Sequence, residues 1–278
     1  MRAYPECLAC TVNQGLRAAR HGTEDPSTRE RALRAVLAEL ADADFTRTPV
    51  ELGHLAQQVV ARVTGVADPY REACARSNEE ALRLYPRLKK IVRGSKEPLR
   101  TAATVAIIGN LIDLGAHGEG YDLEGTLTRL LASPFGRDDF LTFRAALSRA
   151  KRVLYLADNA GEIVFDRVLM EEMDGAEITV AVKSEPFIND AQPADAEQAG
   201  VTAIARVIAT PIFPRQSAEL VEAWREADVI ISKGHANYES YDEAEGPRFF
   251  LLLAKCDFVA HSAGVNKGDM VLLARPGA

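Results

Sequence analysis

Cysteine is scarce: Cys7, Cys10, Cys74 and Cys256 are the only four in 278 residues, too few and too scattered for a disulfide framework, so reduced thiols are expected. Aromatic residues are few as well, 6% of the chain with a single tryptophan. No stretch approaches the roughly 20 apolar residues of a membrane span. The opening MRAYPECLACTVNQG lacks the apolar core of a signal peptide, and the expected location is the cytoplasm. Positive charge is in deficit, with 33 Lys and Arg against 40 Asp and Glu for a net charge of -7. That gives no reason to expect nucleic acid or an anionic membrane as a partner, although it leaves room for a locally basic phosphate site. With 47% hydrophobic and 26% charged residues, the composition is that of an ordinary globular protein with a sizeable core.

Two halves differ in hydrophobic period. Up to about Ala150 the apolar residues recur at helical spacing: Leu33, Val36, Leu37 and Leu40; then Leu52, Leu55, Val59 and Val63; then Ala81, Leu84, Leu88 and Ile91. Helix starts are expected at Ser27 with Glu30, at Thr48 with Pro49 and Glu51, and at Asp68-Pro69. The segment Leu99 to Leu114 is apolar almost all round except for Asn110 and Asp113, which predicts an interior helix. After Ala150 short runs rich in β-branched residues appear at Val153 to Ala157, Ile178 to Val182, Thr202 to Val207, Val229 to Ile231, Phe258 to Ala260 and Met270 to Leu273. Helical patterns lie between them at Ile163 to Met173, Arg215 to Ala227 and Gly246 to Ala254. The expectation is an α/β protein, with an all-helical domain over 1–150 and a Rossmann-like three-layer α/β/α domain with a mainly parallel sheet over 151–278.

The predicted strand ends carry polar residues one after another: Asp158-Asn159, then Lys183 leading into Pro186 to Asp190, then Ser232-Lys233-Gly234-His235-Ala236-Asn237, then His261-Ser262. Four polar ends on one sheet edge point to a shared cleft, because ligands of open α/β sheets bind outside the carboxyl ends of the strands. Asp158, Asn159 and Asp190 are oxygen donors of the kind that hold Mg²⁺ or Mn²⁺ while leaving positions for water and phosphate. A helix cap or Asx turn explains an isolated Asp-Asn pair equally well; the company of Asp190 and Lys233 favours the site. Lys233, followed by Gly234, is expected to aim its ammonium over the strand ends at a phosphate, unless it is a solvated strand-end lysine. Asn237 is a candidate hydrogen-bond donor to a phosphate or sugar oxygen. Cys7 and Cys10 fit half a zinc site, a redox pair, or two small apolar residues of a first helix; no second Cys-x-x-Cys follows.

The blocks Ala157-Asp158-Asn159-Ala160-Gly161-Glu162, Pro186-Phe187-Ile188-Asn189-Asp190-Ala191 and Ser232-Lys233-Gly234-His235-Ala236-Asn237-Tyr238-Glu239 resemble the signatures of the metal-dependent damage-control phosphatases. The resemblance extends to Ala106 through Asp113 and to Lys255 through Gly264, and Cys7 to Cys10 is similar to the pair of the family's microbial branch. It implies hydrolysis of a small phosphorylated metabolite with a divalent metal, Mg²⁺, Mn²⁺ or similar. By position it implies Asp158, Asn159 and Asp190 as metal ligands, Asp158 and Lys233 as catalytic groups, and Glu162, Asn189, Lys233 and Asn237 around the substrate. His235 stands where relatives often carry another residue and receives no catalytic role. Two rivals accompany this expectation. A methyltransferase or nucleotide-cofactor enzyme suits a Rossmann-like half, but Asp-Asn-Ala-Gly replaces the G-x-G-x-x-G turn after the first strand. A non-catalytic metal-dependent metabolite sensor is the other.

Overall fold

The structure, a computed structural model, describes residues 1–111, 123–213, 217–275 and 277. Among the described residues six helices come first: α1 (Pro5–Gly22), α2 (Pro26–Leu40), α3 (Pro49–Thr64), α4 (Arg71–Arg93), α5 (Pro98–Gly109) and α6 (Leu123–Leu131). Thr48 caps α3 in the expected box with Glu51. α2 is capped instead by Asp25, whose carboxylate accepts the amides of Ser27 and Thr28, so Ser27 lies inside the helix. Asp68 accepts the Tyr70 amide one turn before α4 begins. α5 is buried on every side from Ala102 to Gly109, as its all-round apolar sequence requires. Asp113 lies outside the described residues.

The rest alternates: β1 (Phe135–Asp138), α7 (Phe140–Leu147), β2 (Arg152–Leu156), α8 (Glu162–Met170), β3 (Glu177–Lys183), α9 (Pro193–Gln198), β4 (Arg206–Thr210), α10 (Ala218–Glu226), β5 (Val229–Lys233), α11 (Gly234–Tyr241), β6 (Arg248–Leu253), α12 (Asp257–Ala263) and β7 (Met270–Ala274). Among the described residues the strands form one sheet in the order β1-β7-β6-β5-β2-β3-β4. Every pairing is parallel except β6 with β7. The chain builds outward from β2 through β3 to β4, then returns to β5 and β6 on the other side. The order therefore switches between β2 and β5, the position at whose carboxyl ends open α/β sheets bind ligands.

Three sequence expectations change. Gly246 to Ala254, read as helical, contains β6; its run Arg-Phe-Phe-Leu-Leu-Leu is buried on both faces, and a continuous apolar run does not distinguish a central strand from a helix. Phe258 to Ala260, read as a strand, lies in α12, whose amino end is capped by the Cys256 sulfur accepting the Val259 amide. His261 and Ser262 consequently sit in a helix and not at a strand end. The strand expected from Thr202 begins only at Arg206, after a single 3₁₀ turn over Val201–Ala203. In addition, β1 and α7 interrupt the helical pattern assigned to residues before 150, and β1 pairs with β7.

The alternation of β2 sorts the core. Val153 and Tyr155 face the layer containing α5 and α8, with Phe143, Ile163, Phe165 and Phe249. Leu154 and Leu156 face the opposite layer with Ile230, Tyr238, Phe250 and Leu252. A third cluster gathers the inner faces of α1, α2 and α3 with Tyr70 and Cys74, and includes Ala160 from the turn after β2. The helical part thus packs directly on the turn that carries Asp158 and Asn159.

Candidate functional site

β2 ends at Leu156, and the next residues turn at Asp158-Asn159-Ala160-Gly161 into α8. The segment after β3 is stitched to this turn by the backbone: Ala160 N–H donates to Asn189 O at 2.9 Å, Ala191 N–H to Asp158 O at 2.8 Å, and Asn159 bridges Asp190. Two loops from neighbouring strands are therefore held side by side, which brings Asp158, Asn159 and Asp190 together. All three are buried.

The helical part supplies amide side chains that fix both loops. Gln57 of α3 accepts the Ile188 N–H at 2.7 Å and donates to Pro186 O at 3.4 Å, holding Ile188 at a φ of 49°. Asn78 of α4 accepts the Gly161 N–H at 2.6 Å. That amide at the start of α8 is therefore already occupied. Asn110 at the end of α5 donates to Asp158 Oδ2 at 2.9 Å and to Glu162 Oε2 at 3.0 Å. Asn159 does the same, at 2.7 Å to Asp158 and 2.9 Å to Glu162.

Lys233 departs from its expected orientation. Its ammonium does not point over the strand ends; the side chain is 0% exposed and donates to Glu162 Oε1 at 2.6 Å, Asp166 Oδ1 at 2.6 Å and Ala106 O at 2.9 Å. An ammonium has three donors, and all are occupied inside the protein. Glu162 and Asp166 stand four apart on α8, so they share one face, and Tyr155 donates to the same Asp166 oxygen at 2.8 Å. Asn237 also turns its donors inward, to Ala157 O at 3.0 Å and Lys233 O at 2.9 Å, fastening α11 to the end of β2. Asn189 meets the site through its carbonyl bond to Ala160. A cation that the sequence reading left without a role, Lys255, is exposed just beyond β6. Its signal was its position after a buried strand, hidden while that strand was read as a helix.

The electrostatics follow the geometry. Burial, then the neighbouring carboxylates Glu162 and Asp190, push the Asp158 carboxyl well above its ordinary range, against the pull of Lys255 and Lys233. Burial also opposes the charge on Glu162, but Lys233 and Asn110 outweigh it and hold Glu162 below the usual range. Burial and the neighbouring Glu162 raise Asp166 to about 7, although Lys233 draws it down. Lys183 Nζ stands 3.9 Å from Asp190 Oδ2. The site is a buried cluster rich in carboxylates, for which a cation is the natural counter-charge. Among the described residues no three His, Cys, Asp or Glu side chains are arranged as a ready cation cage, so the fitting donor set is two carboxylates and an amide, all oxygen. Hard divalent cations take such sets and keep water at their other positions. α11 comes so close that a Cβ on Gly234 would lie 1.8 Å from Asp158 Oδ2, and Gly234 itself has a φ of 74°.

A family model described as the damage-control phosphatase ARMT1-like domain matches residues 3–271. A damage-control phosphatase of Archaeoglobus fulgidus is 36% identical over 98% of both chains. Damage-control phosphatase PH1575 of Pyrococcus horikoshii is 34% identical over 98% of both chains. The crystal structure of PH1575, described as a DUF89 family protein, superposes with a TM-score of 0.89 over 99% of each chain. An uncharacterised protein of Methanocaldococcus jannaschii, MJ0202, is 33% identical over 99% of this chain and 96% of its own. With a family model spanning almost the whole sequence and relatives alike from end to end, the chain belongs to the ARMT1-like damage-control phosphatase family.

Proposed function

We propose that this protein hydrolyses the phosphate ester of a small metabolite with a divalent cation held by Asp158, Asn159 and Asp190. The observation that carries the reading is the pairing of the 158–160 turn with the 187–191 segment at the switch between β2 and β5, which sets three buried oxygen-bearing side chains side by side. Membership of a phosphatase family supports the reaction class. When bound, a divalent cation supplies charge neutralisation for the phosphate and a more acidic water.

The chain's own groups have separable tasks. Asp158 and Asp190 would provide the anionic oxygens, and Asn159, whose nitrogen is committed to two carboxylates, would offer its amide oxygen. Lys255, exposed just beyond β6 and acting electrostatically on both Asp158 and Glu162, is the cation we assign to attracting the substrate's phosphate. Lys233 keeps the site in shape from beneath. A nucleotide-cofactor reading is less well supported, because the first turn lacks the G-x-G-x-x-G pattern and its Gly161 amide is occupied by Asn78.

Phosphate release from a panel of sugar and nucleotide phosphates, with excess chelator and then with added Mg²⁺ or Mn²⁺, tests the reading. Activity that is lost with chelator and restored by the cation supports it. Full activity in chelator overturns the metal mechanism, and cation binding with no turnover of any ester favours the sensor.

A further inference from the structure

The geometry points to Glu162 as a positioning residue that fixes which end of the Asn159 amide faces the cleft, an inference that rests on the proposed ligand role of Asn159. A side-chain amide has one oxygen, which accepts, and one nitrogen with two N–H donors. Only the oxygen suits a hard cation. In Asn159 the nitrogen lies 2.7 Å from Asp158 Oδ2 and 2.9 Å from Glu162 Oε2, both acceptors. Turning the amide over would set its oxygen against two carboxylate oxygens.

Glu162 can enforce this because it cannot itself turn away. Its Oε1 accepts from Lys233 at 2.6 Å, and Lys233 is pinned by Asp166 and by Ala106 O. Asp166 is in turn held by the Tyr155 hydroxyl at 2.8 Å. The residue is 0% exposed, with Lys233 on one oxygen and Asn110 and Asn159 on the other. Glu162 therefore acts on the site without meeting substrate. A chain of bonds from Tyr155 in β2 through Asp166, Lys233 and Glu162 ends at the Asn159 nitrogen, and sets the direction of the Asn159 oxygen. The same arrangement orients Asn110, whose Oδ1 is buried without a partner among the described residues.

The test is Glu162→Gln in the full chain, which keeps the volume and still offers Lys233 an oxygen, but sets an NH₂ against the Asn159 nitrogen. Mn²⁺ affinity, read by electron paramagnetic resonance, should weaken about 10- to 100-fold, as when the hydrogen-bond partner of a metal ligand is removed. The side-chain ¹H–¹⁵N signals of Asn159, assigned by their loss in Asn159→Ala, give a second readout that general loss of charge would not move. In the wild type both protons should exchange slowly and remain protected when Mg²⁺ is added; in Glu162→Gln they should shift upfield and exchange fast. Wild-type Mn²⁺ affinity in Glu162→Gln overturns the inference alone, whereas failure of the wild type to bind Mn²⁺ overturns the ligand reading and this inference with it. If the variant does not fold, the wild-type spectrum decides: fast exchange at Asn159 overturns the inference.

Discussion

Lys233 Nζ lies 2.6 Å from Glu162 Oε1 and 2.6 Å from Asp166 Oδ1, with all three side chains fully buried. The lysine ends β5, the two acids belong to α8, and the third acceptor, Ala106 O, belongs to α5. This one ammonium therefore fastens the sheet to two helices of the layer above it. Burial disfavours its charge, but Asp166 and Glu162 more than compensate and raise its pKa above the ordinary value. A cation so enclosed carries the shape of the site more than its contact with a ligand.

Replacing Lys233 with Met should therefore damage stability first. Removing one partner of a buried ion cluster leaves charge uncompensated and costs about 3–5 kcal/mol. Urea unfolding of the metal-free protein measures it. A variant as stable as the wild type that has lost only kcat/KM would return Lys233 to the role of phosphate contact.

Gly234→Ala should be severe for a different reason. The position needs a φ of 74°, and the added Cβ would fall 1.8 Å from Asp158 Oδ2. Left-handed backbone in a residue with a Cβ costs roughly 1–2 kcal/mol, and Asp158 must move as well. Calorimetry should show weakened Mn²⁺ binding together with a lower Tm; unchanged Mn²⁺ affinity would show that Asp158 can be displaced without harm to the site.

Much of this was legible in the sequence, and the remainder was hidden for identifiable reasons. The passage from strand through Asp158-Asn159 into a helix is local, so composition and period expose it. Asp190, in the segment after β3, and Lys233, at the end of β5, stand out by their positions after apolar runs, but the direction of the Lys233 side chain does not, because it depends on acids supplied by α8. The signal was present in part: Glu162 and Asp166 repeat at i, i+4 on a helix whose only other charged residue is Arg167, and acids on a buried face require a partner. β6 and α12 were exchanged because both contain apolar runs whose type is decided by tertiary burial. The amide clamps of Gln57 and Asn78 span more than eighty positions to their loops, and no local pattern announces them.

Gln57→Leu should loosen the loop that carries Asp190. The substitution keeps the α3 surface apolar but removes the acceptor of the Ile188 N–H at 2.7 Å. Leaving this half-buried amide unpaired costs about 1 kcal/mol, and the φ of 49° at Ile188 loses its restraint. Expected results are a lower Tm, weaker Mn²⁺ binding, and limited proteolysis between Pro186 and Asp190. Wild-type protease resistance of this loop would show that the backbone bonds to the 158–160 turn suffice to hold it.

The acid limb of stability should depend on His235. Its Nε2 stands 2.9 Å from Leu253 O and 3.0 Å from the Lys255 nitrogen, so a neutral ring ties α11 to the segment bearing Lys255 in either tautomer. Burial, and then the charge of Lys255, lower its pKa from 6.5 to about 4. Between those two values the unfolded chain binds a proton at this position and the folded chain does not, so folded stability rises with pH across the window and is lost on acidification. The full loss would approach about 3 kcal/mol below pH 4. Burial of Glu239 raises its carboxyl to about 7, so Glu239 acts with the opposite sign, gaining stability as pH falls toward 4.5. The two must be separated by a variant. In His235→Gln the stability lost between pH 6.5 and 4 should shrink relative to the wild type, with Glu239 unaltered in both. Urea unfolding of the two proteins across this range makes the comparison, and identical pH profiles would show that His235 titrates as it does in the unfolded chain.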